Sequence, residues 1–73
     1  MKALEANREA IRKRCLAVAT KFPGLSTAGF FAEVWWAFYP RVDEVDIKAE
    51  ALRMVRYGEL VYTVDYTVEL PKQ

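Results

Sequence analysis

With 73 residues, the chain is about half the size of a typical domain, which leaves room for one hydrophobic core and excludes a second domain or a large catalytic cleft. A composition that is 53% hydrophobic and 14% aromatic excludes a disordered segment. The formal net charge of +1 conceals an asymmetry: residues 1–21 hold six Lys or Arg against two Glu, and residues 22–73 hold five against eight acidic residues, so a basic leading segment precedes a mildly acidic remainder.

A single core of this size supplies roughly 3–5 kcal/mol, and small domains commonly add a disulfide, a metal or a second subunit. The lone Cys15 cannot form an internal disulfide. With one Cys and no His, no metal site and no cofactor are expected. Self-association is the remaining support, so a homodimer is expected. The first twenty residues mix charged and apolar types and offer no signal-peptide core. The longest apolar stretch, residues 28–39, is interrupted by Glu33 and falls short of the roughly 20 residues that a bilayer requires. No membrane association and a cytoplasmic setting are therefore expected, in keeping with the unpaired cysteine.

In the first segment, Leu4, Ile11, Cys15, Val18 and Phe22 recur at spacings of seven, four, three and four, one stripe of a helix over residues 1–22 that Pro23-Gly24 closes. Cys15 lies in that stripe and reads as a small buried hydrophobe, because no His is present to activate a thiolate. Ser26 is a suitable N-cap for a second helix, 27–38, limited by Pro40. Phe30, Phe31, Val34, Trp35 and Phe38 share its inner arc, while Trp36 points the other way, either to cover a neighbouring element or to meet a partner.

Asp43 is a candidate N-cap for a third helix, 44–57. Glu44 and Asp46 suit the positive end of its dipole, and Gly58 takes the position just beyond its C-terminus. Ile47, Ala51, Met54 and Val55 are expected inside with Leu52 at the margin, and Ala49, Glu50, Arg53, Arg56 and Tyr57 outside. From Glu59 the period changes to two: Leu60, Tyr62 and Val64, then Tyr66, Val68 and Leu70, alternate with more polar positions. This predicts a β-hairpin over 59–70 with its reversal near Val64-Asp65. The fold class expected for the single domain 1–73 is α+β, three helices followed by a C-terminal hairpin.

Counted from Asp43, Ile47, Ala51, Met54, Gly58 and Leu60 stand at offsets of four, eight, eleven, fifteen and seventeen. This series resembles the third helix and first wing strand of winged helix-turn-helix proteins, with Val42 matching the short bridging strand those proteins often place before the helix. Ala51 departs from the larger aliphatic residue common there, for which Leu52 would compensate by swinging inward. The resemblance covers residues 26–70. It implies that the third helix enters the major groove of double-stranded DNA with Lys48, Ala49, Glu50, Arg53 and Arg56 toward the duplex. Arg pairs with guanine, Glu accepts from cytosine, and Lys48 lies toward phosphate.

Against that role, no Lys or Arg lies between Tyr57 and Pro71, and Glu59, Asp65 and Glu69 make the wing acidic, which repels phosphate. The alternative expectation is a protein-interaction module, of the kind a small phage inhibitor could use. It would bind a protein of a nucleic-acid-handling complex through Trp36, Tyr39, Tyr57 and the carboxylates of Glu59, Asp65 and Glu69. Catalysis is not expected, since neither a phosphate-binding Gly-rich loop nor a nucleophile with a nearby base is present.

Overall fold

The computed structural model describes residues 2–71, with side chains from residue 7 onward. It is α+β: helices α1 (Lys2–Lys21), α2 (Thr27–Trp36) and α3 (Glu44–Arg56) precede the antiparallel strands β1 (Val61–Tyr62) and β2 (Val68–Glu69). This topology is consistent with a winged-helix shape. Met1 lies outside the described residues, and Leu4 of the α1 stripe outside the described side chains. No described helix is long and apolar enough to cross a membrane.

Three layers of side chains meet in one core: Ile11, Cys15, Val18 and Ala19 from α1, Phe30 and Val34 from α2, and Ile47, Ala51 and Met54 from α3, closed by Leu60 and Val68 of the hairpin. Phe22 is an exception to the predicted stripe and is exposed, because α1 stops at Lys21 and the chain leaves through Gly24 at φ 81°. The Ser26 Oγ caps α2 by accepting from Gly29 N at 3.2 Å. That helix ends two residues earlier than predicted, in turns that run to Arg41, as expected where a proline disfavours helical backbone in the residue before it.

Asp43 occupies the N-cap position of α3 in extended conformation, without a side-chain capping bond. The other end of α3 closes through Gly58 at φ 78°, with Gly58 N donating to Val55 O at 3.1 Å and Glu59 N to Met54 O at 2.7 Å. These two bonds satisfy carbonyls that a helix end otherwise leaves open, and they turn the chain into the hairpin.

Val61 pairs with Glu69 and Tyr62 with Val68. The connection is the three-residue loop 64–66, closed by Thr63 N to Thr67 O at 3.0 Å and Tyr66 N to Thr63 O at 3.1 Å. Its last residue, Tyr66, stands at φ 61°, a left-handed position that hairpins of this kind usually give to glycine. The reversal expected near Val64-Asp65 falls in this loop, where Val64 is exposed. The bridging strand expected at Val42 does not form. Val42 is a buried bend residue, and the bridge pairs Ser26 with Thr67 instead, with Thr27 N donating to Tyr66 O at 2.8 Å and Val68 N to Leu25 O at 3.0 Å. The hairpin is thereby stitched to the start of α2.

Candidate interaction surface

The open face of α3 differs from the predicted one. Glu50 is 1% exposed and faces α1, where a single oxygen, Oε1, accepts from Arg8 Nε at 2.9 Å and from Arg53 Nη1 at 2.8 Å. Helical phase explains the correction: at about 100° per residue Glu50 falls on the same arc as Ile47, Ala51 and Met54, while Leu52 falls outside it. Leu52 accordingly does not swing inward and is 56% exposed. Arg53, although half-exposed, is committed to Glu50. Lys48 is bonded to Glu44 at 3.0 Å and lies 5.9 Å from the centre of the Phe31 ring. The stripe that faces solvent squarely is Val45, Ala49, Leu52 and Arg56, with Tyr57 beyond it at the C-terminus.

The hairpin carboxylates are dispersed. Glu59, at the base, is partly buried and paired with Arg12 of α1. Glu69 Oε2 accepts from the Thr67 hydroxyl at 3.0 Å, which in turn lies 2.6 Å from that of Thr63. Asp65 is exposed at the tip, its backbone N–H bonded to Thr63 Oγ1 at 3.2 Å.

Two of the predicted contact residues do come together. Trp36 and Tyr39 are 64% and 53% exposed, with ring centroids 5.4 Å apart. Both also pack on Trp35, at 5.7 and 5.0 Å respectively. Trp35 is itself fixed by its indole N–H, which donates to the Val42 carbonyl at 3.2 Å. Its other flank enters a groove of about 440 Å³ between α2 and α3, floored by Ala28, Phe31 and Ala32 and bordered by Glu44 and Lys48. The sequence hides the groove because apolar spacing puts Phe31 on the inner arc of α2 with the core residues. Its signal was the pair of small residues, Ala28 and Ala32, one helical turn apart on α2.

A second cleft of about 280 Å³ lies between α1 and α3, with Arg8, Arg41 and Arg53 around Asp46 and Glu50. The interior is polar in three places: among the described residues Glu50 Oε2 and the Tyr62 hydroxyl have no hydrogen-bond partner, and Cys15 is fully buried. Burial first, and the Glu50 carboxylate second, push the Cys15 thiol up to about 12. Burial and then Cys15 raise the Tyr62 phenol. A thiol held neutral in this way is packing material, not a nucleophile.

Compared with known proteins, the chain matches no family model, no curated protein and no solved structure.

Proposed function

We propose that the chain is a non-catalytic protein-interaction module that docks a partner protein on the aromatic surface at the end of α2. The observation that carries this reading is the pair Trp36 and Tyr39, more than half exposed yet held in place by an anchored Trp35. Large aromatic side chains presented rigidly to solvent lose little conformational freedom on binding and are the residue types that dominate binding energy at protein interfaces. The groove that begins at Trp35 extends the apolar surface toward α3 and gives a partner side chain a place to enter. The test is to isolate a binding protein and then titrate it, purified, against the wild type and against Trp36→Ala and Tyr39→Ala, with circular dichroism as the folding control. Each substitution is expected to weaken binding by about 30-fold or more, the size of a hot-spot loss. Unchanged affinity in both variants would overturn the reading.

A second reading, duplex DNA binding through α3, is supported by the winged-helix-like element order and by the exposure of Lys48, Ala49 and Arg56. Against it stands the burial of Glu50, while Arg53 and Lys48 are each paired with a carboxylate of their own helix. Fluorescence anisotropy with a mixed-sequence duplex separates the two readings. Salt-sensitive binding that falls on Arg56→Ala favours DNA, and no binding at low salt leaves the protein partner.

A further inference from the structure

We propose that the open face of α3 is the seam of a two-fold dimer, in which α3 packs antiparallel against α3 of a second copy of this chain. The seam uses neither Trp36 nor Tyr39, although Glu44 at its end also borders the groove beside Trp35, and it is tested separately from the docking role given to them.

Val45 is 74% and Leu52 56% exposed, and a single exposed aliphatic residue on a helix would need no explanation. Here two of them, seven residues apart, are aligned with Ala49 and the stem of Arg56. The spacings are four, three and four, the repeat by which paired helices interlock. At about 100° per residue all four fall within about 60° of one another. Small Ala49 and larger Leu52 sit on either side of the midpoint of the stripe. A two-fold axis at that midpoint therefore sets Leu52 of each copy against Ala49 of the other, a large residue opposite a small one.

Charge chooses the direction. The first turn of α3 carries Glu44 and Asp46, with Asp43 just before it, and the last turn carries Arg53 and Arg56. Parallel packing would set like ends together. Antiparallel packing brings Arg56 level with Val45 of the second copy and within reach of its Glu44, twice by symmetry, and it opposes the two helix dipoles favourably. Of the cations in the middle, Arg53 is held by Glu50 at 2.8 Å within its own chain, and Lys48, 3.0 Å from Glu44, shares that carboxylate with the incoming Arg56. A helix of 13 residues offers a seam about 20 Å long. A seam of one short helix per copy is a small contact, so a weak dimer with a micromolar dissociation constant is expected.

Sedimentation equilibrium from about 5 to 500 micromolar spans that range. The weight-average mass is expected to rise from the chain mass of 8.4 kDa toward twice that value. Leu52→Glu, a change on the solvent side of the folded chain, is expected to stay at the monomer mass throughout. Arg56→Glu and Glu44→Arg are each expected to be monomeric alone and to form a dimer when mixed, because only the mixed pair has opposite charges at both ends of the seam. Trp36→Ala is expected to leave the mass curve unchanged. A wild type that remains monomeric overturns the proposal. So does a dimer that Leu52→Glu leaves intact, a mixture of the charge variants that does not associate, or a dimer lost on Trp36→Ala.

Discussion

Glu50 shows how helical phase and charge can disagree about where a residue lies. Its phase on α3 places it with Ile47, Ala51 and Met54, but its charge suggested an outward, base-contacting side chain. The structure resolves the conflict by burying the carboxylate and bringing two arginines to one of its oxygens. A buried carboxylate stripped of its counter-charges is far more costly than an apolar side chain of the same volume. Arg8→Ala and Arg53→Ala are each expected to lower stability by about 1–2 kcal/mol in urea unfolding, because the remaining arginine still holds Oε1. The double variant is expected to lose about 3–5 kcal/mol, more than the sum of the single losses, while Glu50→Met stays within about 1 kcal/mol of the wild type. Strict additivity in that cycle would mean that the two arginines do not share the burden of neutralising Glu50.

Among the elements, the helices were the most legible, because apolar spacing, Ser26, Gly58 and the prolines state their faces and limits directly. The hairpin was legible as alternation but not in its turn. The loop lacks Asn-Gly or Asp-Gly and places Tyr66 in the left-handed region, where a residue with a Cβ is strained. Tyr66→Asn is expected to stabilise the protein by about 0.5–1 kcal/mol, read as a higher urea midpoint with an unchanged slope, because Asn tolerates that conformation better. A lower midpoint would indicate that the exposed Tyr66 ring contributes more than its backbone costs. The bridge at Ser26 could not be read from the sequence. It depends on where the hairpin lands, which no local pattern around residues 25–27 encodes.

For the whole molecule, the charge asymmetry between the leading segment and the remainder was visible in the sequence, but its use was not. Part of it closes internally, since Arg8 reaches Glu50 and Arg12 reaches Glu59. The basic side of α1 therefore helps to seat that helix and is only partly free to attract phosphate. The buried Cys15 gives the molecule a matching pH response. Its thiol titrates near 9.0 when unfolded and near 12 when folded, so the folded state retains a proton that the unfolded chain loses. Stability is complete below about pH 9 and falls as pH rises toward 12. Urea midpoints at pH 8 and pH 10.5 are expected to differ more for the wild type than for Cys15→Ala, in which the raised Tyr62 phenol is the group left to contribute. Equal slopes in the two proteins would remove Cys15 as the source.

The bond from the Thr27 amide to the Tyr66 carbonyl also bears on how the chain matures as it is made. The acceptor of the opening amide of α2 lies about forty residues further along the chain and leaves a ribosome after it. The start of α2 is therefore completed by the hairpin, and a nascent chain halted before the hairpin leaves that amide open to solvent. In hydrogen-exchange measurements, protection at Thr27 reports hairpin docking rather than helix formation, while amides deeper in α2 report the helix itself.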